Sequence, residues 1–319
     1  MRTTRILITD DVHPVLVDQL RHYGFEVDYQ PSINYEETTR IIPDFEGLVI
    51  NSKIQCNKNF IDQALRLEFI ARLGSGREVI DQDYAASRNI KMYFSPEGNN
   101  NAVAEHALGM LLALSNQLVW ADQDVRKKQW QREARRGWEL SGKTIGIIGF
   151  GYTGSQFAKK LAGMEMSILA HDKYLHNLEA IVSGITESSK EEIQAQADII
   201  SFHLPWSEET HHYCDQAFLT GCRSGVVLIN TSRGRVIDTT ALVDALASGQ
   251  VGGACLDVFE NEKPPYFSPL EDALYRQLYE MKHVILSPHI AGWTKESKLK
   301  MARILLQKIL ALYGLRFIQ

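Results

Sequence analysis

The chain has little cysteine for its length: Cys56, Cys214, Cys222 and Cys255 are its only thiols in 319 residues. No two of them form a CxxC pair, so the sequence offers neither a redox dithiol nor the paired thiolates of a structural zinc site, and no metal is expected. Scattered thiols in a chain of this size imply a reducing compartment, and a cytoplasmic protein is expected. Long apolar runs are lacking too. The longest helical one, ALGMLLAL at 107–114, falls far short of the roughly 20 residues that cross a bilayer, so no membrane partner is expected. The opening residues, MRTTRILITDD, lack the apolar core and cleavage site of a signal peptide. Positive charge is not in excess either. A formal net charge of −5 argues against a general nucleic-acid binder, while leaving room for a local basic pocket that takes an acidic metabolite.

What is present is alternation. With 45% hydrophobic and 23% charged residues, the chain is globular and long enough for two domains. Strand patterns stand at RILI (5–8), FEVDY (25–29), GLVI (47–50), LEFIARL (67–73) and IKMYF (90–94), with helical patterns such as PVLVDQLRHYG and KNFIDQALR between them. Strand, helix, strand in series predicts a parallel sheet with right-handed crossovers. Glu97-Gly-Asn-Asn-Asn101 is expected to break this pattern ahead of a long helix, AVAEHALGMLLALSNQLVW. A basic, tryptophan-containing segment follows, RKKQWQREARRGW (126–138), in which Glu133 is the one local acid. A second alternating series begins at KTIGIIG and continues through MSILAHD, ADIISFHL, GVVLIN, GACLDVF and HVILSPH. The expected fold class is α/β, with two doubly wound parallel-sheet units joined by a long helix.

The second series opens on GxGxxG, formed by Gly149, Gly151 and Gly154. The pattern alone is weak. Here a strand precedes it, Phe157, Leu161 and Met164 follow at helical spacing, and Asp172 closes the next strand. Gly149 permits a tight turn, Gly151 removes a Cβ where a pyrophosphate must approach, and Gly154 lets the helix pack close to the sheet. The helix N-terminus offers free N–H groups to the phosphates. Asp172 would accept hydrogen bonds from the adenosine ribose hydroxyls and repel a 2′-phosphate, so NAD is the expected cofactor. The plain alternative is a glycine turn in a ligand-free fold.

Three residues lie just past later strands: Arg233 after VVLIN, Glu262 after ACLDVF and His289 after HVIL. Ligands of open parallel sheets bind outside the strands' carboxyl ends. The trio suits hydride transfer to a 2-oxo acid. A guanidinium grips a carboxylate and polarises the adjacent carbonyl. A histidine gives the proton in reduction and takes it in oxidation, and a glutamate orients its ring and favours the imidazolium. Singly, each has an ordinary alternative: a surface charge, a solvated loop acid, a core histidine bonded to a carbonyl.

At this point the chain resembles the D-isomer-specific 2-hydroxyacid dehydrogenase family. The matching stretches are VAEHALGMLLAL, GKTIGIIGFGYTG, HLPWSEET, LINTSRGRVID, ACLDVFENE and LSPHIAG. The resemblance implies a flavodoxin-like substrate domain and a Rossmann NAD domain, with Arg233, Glu262 and His289 as the catalytic set. It also implies cofactor contacts from Tyr152, Thr153, His203, Leu204, Pro205, Thr210, Thr231, Ser232, Asp257 and Gly292, with Asp257 holding the nicotinamide carboxamide. The family usually reads Glu-Pro after DVF; Lys263 replaces that proline, which makes Glu260 a competitor for Glu262. Trp293 stands where a small residue is more common.

The family fold implies a discontinuous substrate domain, 1–98 plus 294–319, and an NAD domain, 99–293, with hinges near Gly98–Asn101 and Gly292–Trp293. It also implies an interdomain helix and dimer arm at about 101–138, and hence a homodimer. The first domain is expected to supply Ser75 and Gly76 as a carboxylate nest, and Asn51, Ser52 and Lys53, with Arg77 close by. Arg126, Lys127, Lys128, Arg132, Arg135 and Arg136 read first as a solvated face; by resemblance they could reach a neighbour's substrate. In the Asn51–Lys53 loop and in SPEGNNNAVAEHALG, the chain resembles most the members that oxidise 3-phosphoglycerate, at the entry to serine biosynthesis. That acid is therefore the expected substrate, with glyoxylate or hydroxypyruvate as the alternative. No regulatory domain is expected after the last helix. A rival of another class is an NAD-sensing binding scaffold. A serine hydrolase lacks support, since no GxSxG occurs.

Overall fold

The computed structural model describes residues 4–317. Its elements, in chain order, are β1 (Arg5–Ile8), α1 (Pro14–His22), β2 (Glu26–Tyr29), α2 (Tyr35–Ile41), β3 (Gly47–Ile50), α3 (Lys58–Gln63), β4 (Phe69–Arg72), α4 (Gln82–Ser87), β5 (Lys91–Phe94), α5 (Pro96–Ser115) and α6 (Leu118–Arg126). There follow β6 (Thr144–Ile148), α7 (Tyr152–Leu161), β7 (Ser167–His171), β8 (Ile185–Glu187), α8 (Lys190–Gln196), β9 (Ile199–Phe202), α9 (Gln216–Gly221), β10 (Val226–Asn230), α10 (Thr239–Ser248), β11 (Val251–Leu256), α11 (Pro269–Glu280), β12 (Val284–Leu286) and α12 (Lys295–Leu312). They form two compact units. One takes the chain up to Asn100 and again from Trp293; the other is Asn101–Gly292.

The first unit holds a five-stranded sheet of order β2-β1-β3-β4-β5, parallel throughout. Strands covered on both faces read as unbroken apolar runs, and GLVI of β3 is buried at every position. One face is covered by α1 and α12. Ala302, Leu305, Leu306, Ile309 and Leu310 repeat at helical spacing and meet Ile6, Ile8, Leu16 and Leu20. The other face is covered around Phe60, Ile61 and Ala85.

Glu97–Asn101 does not break the chain. These residues are the first turns of α5. Glycine and asparagine are poor helix formers, but tertiary packing overrides them here. A Cβ at Gly98 would lie 2.5–2.8 Å from atoms of Met301, so only glycine lets α5 start this close to α12. Lys308 reaches across to the carbonyl of Phe94 at 2.6 Å and to Glu97 at 3.3 Å. The expected break of pattern at Glu97–Asn101 is thus corrected to a packed helix start.

The second unit holds seven parallel strands of order β12-β11-β10-β9-β6-β7-β8. Chain order reverses between β6 and β9, which makes that gap the topological switch point. Ala104, Ala107, Leu111 and Leu114 of α5 are buried in this unit's core beside Ile145 and Ile147 of β6. Among the described residues, no single helix is long and apolar enough to cross a membrane; α5 and α6 pass only as a pair bent by 60°.

The basic segment is less bare than its sequence predicts. Arg126 pairs with Asp122, Arg135 with Asp124 and Arg136 with Glu133, each at 2.7 Å. Asp122 and Asp124 lie one turn back on α6, outside the segment in which only Glu133 stood out. Leu118, Val119, Val125 and Trp130 of the same region are exposed.

Candidate active site

The turn after β6 is built by close approach. Gly149 has φ +90°, and its N–H donates to the His171 carbonyl at 2.8 Å. A Cβ at Gly154 would sit 2.0 Å from the Gly149 carbonyl oxygen, so α7 could not pack here with any other residue. At Gly151, by contrast, a Cβ would meet nothing within 4 Å, so the backbone is open where a phosphate would approach. Gly151 is the N-cap of α7 and supplies no side-chain cap. Tyr152 and Thr153, the first helical residues, therefore bring their backbone N–H groups to this end of the helix.

Asp172, just past β7, is pinned as an acceptor. Its Oδ2 takes the Phe150 N–H at 2.7 Å, and its Oδ1 takes those of Tyr174 and Leu175 at 2.9 and 3.0 Å. On the other side of the switch point, His203 N–H donates to the Ile148 carbonyl, which brings Leu204 and Pro205 beside the glycine turn. Thr210 turns its hydroxyl inward to the Pro205 carbonyl at 2.6 Å and shapes this loop.

Three buried side-chain atoms among the described residues have no hydrogen-bond partner: His203 Nδ1, Trp206 Nε1 and Thr231 Oγ1. All three follow the carboxyl ends of β9 and β10. Unsatisfied buried polar groups are rare, and past the carboxyl ends of two neighbouring strands they fit a polar ligand such as a dinucleotide. No group of three or more His, Cys, Asp or Glu is gathered for a metal among the described residues.

Burial pushes the His203 imidazole down to about 3, so it is neutral in the folded chain. The unfolded chain binds this proton below about pH 6.5 and the folded chain does not. Stability is therefore full above that pH and falls as pH drops towards 3, by up to about tenfold in the folding constant per pH unit. Urea midpoints of His203→Gln should lose this part of the acid slope.

Past β10, buried Asn230 shapes the turn that presents Arg233. Its Oδ1 accepts from Ser232 N–H and hydroxyl at 3.0 and 2.8 Å, and its Nδ2 donates to the Arg233 carbonyl at 2.9 Å. Arg233 Nη1 donates to the Ser232 carbonyl at 2.7 Å. The next residue, Gly234, lies against the following loop: a Cβ there would be 1.9 Å from the Phe259 carbonyl. That contact joins the Arg233 turn to the loop carrying Glu260 and Glu262.

The two glutamates are separated by their partners. Glu260 is spent on Thr239 N–H and hydroxyl, at 2.7 and 2.9 Å, and on His212 Nε2 at 3.2 Å. Glu262 instead accepts from His289 Nδ1, at 2.8 Å to Oε2 and 3.0 Å to Oε1. Lys263, in the usual proline position, donates its N–H to Asn261 Oδ1 at 3.0 Å. Asn261 anchors the loop to α11 through the Tyr275 hydroxyl (3.1 Å) and Glu271 (2.9 Å).

Asp257, fully buried, holds the His289 loop. Its Oδ1 accepts from the Ser287 hydroxyl at 2.5 Å and Ile290 N–H at 2.9 Å, and its Oδ2 from Ala291 N–H at 2.8 Å. Its carbonyl takes His289 N–H at 2.7 Å. His289 has φ +55°, a conformation that costs a non-glycine residue about 1–2 kcal/mol, and this clamp sustains it. His106 of α5 bonds Ser287 at 2.8 Å. The His289 and Glu262 side chains stay 47% and 40% exposed, so the ring's other nitrogen is open to a substrate. Asn230, Ser287 and His106 were not among the sequence candidates. Gly292, at the end of this loop, closes the unit.

The remaining candidates lie in the first unit. Asn51, Ser52 and Lys53 follow β3, and Asn51 N–H donates to Asp10 at 2.9 Å. The Lys53 ammonium is bound by the carbonyls of Thr9 and Pro31. Ser75, exposed, and Gly76, buried, follow β4 in a turn where Gly74 N–H meets the buried Ser95 hydroxyl at 2.9 Å. Arg77 lies over the Phe94 ring, 5.0 Å from its centroid.

Comparison with known proteins bears on the whole arrangement. Residues 108–291 match the family described as D-isomer specific 2-hydroxyacid dehydrogenase, NAD binding domain. A D-3-phosphoglycerate dehydrogenase of Archaeoglobus fulgidus is 32% identical over 96% of this chain and 56% of its own length. The chain spans about half the length of the phosphoglycerate dehydrogenases it matches. A hydroxypyruvate reductase of Thermotoga maritima is 32% identical over 88% of this chain and 89% of its own. A D-lactate dehydrogenase structure from Aquifex aeolicus, complexed with NAD and lactic acid, superposes with a TM-score of 0.86 at 26% identity, covering 98% of this chain and 96% of that one. By its NAD-binding domain and by relatives that align along most of its length, the chain belongs to the D-isomer specific 2-hydroxyacid dehydrogenases.

Proposed function

We propose that the chain is an NAD-dependent D-2-hydroxyacid dehydrogenase that oxidises 3-phosphoglycerate to 3-phosphohydroxypyruvate. The observation that carries the activity is the His289–Glu262 pair at 2.8 Å, on a loop joined through Gly234 to the turn of Arg233. NAD, when bound, supplies the hydride acceptor. Gly149–Gly154 and the start of α7 would hold its pyrophosphate, Asp172 its adenosine ribose, and His203 and Thr231 the polar groups beyond. Asp257 Oδ2 accepts one protein bond and keeps a lone pair for the carboxamide.

Glu262 takes the Nδ1 proton of His289 in a hydrogen bond, which leaves Nε2 to remove the hydroxyl proton during oxidation and return it during reduction. Arg233 would fork onto the substrate carboxylate and draw charge from the neighbouring carbonyl. In this reading Asn51–Lys53 and Ser75–Gly76 contribute to substrate binding from the first unit. Residues up to about 98 and from about 294 form the substrate domain, and 99–293 the NAD domain. The exposed Leu118, Val119, Val125 and Trp130 support self-association as a homodimer.

A second reading is reduction of hydroxypyruvate or glyoxylate. It is favoured by Lys53, whose ammonium is already engaged by two carbonyls rather than held out for a phosphate. Steady-state rates with 3-phosphoglycerate, D-lactate, glycerate, glyoxylate and hydroxypyruvate test the proposal. A kcat/KM highest for 3-phosphoglycerate is the expected result. Preference for the unphosphorylated acids moves the assignment to the second reading. NADH binding with no turnover on any acid would make the chain a dinucleotide-sensing scaffold.

A further inference from the structure

The adenosine end of the NAD site carries a polar bridge that the reaction does not use. Lys173 directly follows Asp172, and its ammonium pairs with Glu209. The Tyr174 hydroxyl donates to the same carboxylate at 3.3 Å. Glu209 lies in the loop after β9, whereas Lys173 and Tyr174 lie just past β7. Strands β7 and β9 are the two neighbours of β6. The bridge therefore ties the loops on either side of the glycine turn, beside the carboxylate read above as the ribose acceptor.

We propose that Glu209 is a cofactor-specificity residue: it occupies Lys173 and so denies that cation to the 2′-phosphate of an NADP-type dinucleotide. The inference rests on the NAD reading of this crevice. Its physical content is local charge. Asp172 and Glu209 bring two negative charges against one positive charge on Lys173. A 2′-phosphate, with its own negative charge and three acceptor oxygens, meets net repulsion from these three residues while Lys173 is held by Glu209. Without Glu209 the same three residues sum to zero, and Lys173 can turn to the phosphate in a charge-assisted bond. Both side chains of the pair are more than half exposed, at 58% and 53%, so breaking it should leave the fold intact.

Fluorescence titration of the full chain with NADH and with NADPH tests this by binding alone. In Glu209→Gln, the ratio of the NADPH to the NADH dissociation constant should fall about tenfold. In Glu209→Gln/Lys173→Gln it should return close to the wild-type ratio, because the gain needs the freed ammonium. An unchanged ratio in the single variant overturns the proposal, as does an equal fall in the double variant, which would mark mere loss of negative charge. Wild-type preference for NADPH also overturns it while leaving the dinucleotide site in place. Wild-type protein that binds neither dinucleotide sinks both the proposal and the reading beneath it.

Discussion

His289→Gln should lower kcat by about 10³-fold while the NADH dissociation constant stays within a few-fold of wild type. Glutamine approximates the size of the ring and its amide can still donate to Glu262, so the loop keeps its anchor. The bonds that the N–H groups of residues 289–291 donate to Asp257 do not involve the side chain that changes. What is lost is a general acid–base group, and such groups contribute on the order of 10²–10⁴ in rate. Loss of kcat without loss of dinucleotide binding would mark an interaction made in the transition state. Stopped-flow turnover and fluorescence titration on the same preparation measure both quantities. Equal turnover in the variant would remove His289 from the chemistry.

Arg233→Ala should reduce kcat/KM by about 10³-fold, in the range that follows from leaving a bound carboxylate without its charged partner. Arg233→Lys should recover only part of this, because an ammonium restores charge but not the planar fork. The fold should survive both changes. Asn230 bonds the backbone carbonyl of Arg233, not its side chain, so the turn is retained. Circular dichroism and the melting midpoint control for this. A variant with normal kcat/KM and normal melting would make Arg233 a bystander.

Much of the architecture was legible because buried parallel strands announce themselves. RILI and GLVI correspond to β1 and β3 residue for residue, since each is an apolar run covered on both faces. The short polar helix α2, YEETTRI, was not legible. It buries one residue, Thr38, and is held by an Asn34–Glu37 capping box rather than by an apolar stripe. Glu97–Asn101 misled for the opposite reason, since its helix depends on a neighbour, Met301, some two hundred positions away.

The same division runs through the candidate site. Arg233, Glu262 and His289 could be picked out because each follows a strand whose end was readable. The supports around them could not. Asp257 clamping a left-handed His289 and Glu260 turning to Thr239 are fixed by hydrogen bonds between distant loops, and Asn230 braces the Arg233 turn through bonds that no residue pattern marks. Nothing in local pattern distinguishes Glu260 from Glu262; their partners do.

The most direct test is a crystal of the chain with NAD and the 2-oxo acid it handles best, a pair that cannot react. The acid's carboxylate should be forked on Arg233 and its carbonyl oxygen should lie within about 3 Å of His289 Nε2, beside the nicotinamide. An acid bound with His289 turned away from that oxygen, or a dinucleotide seated away from the Gly149–Gly154 turn, would contradict that arrangement.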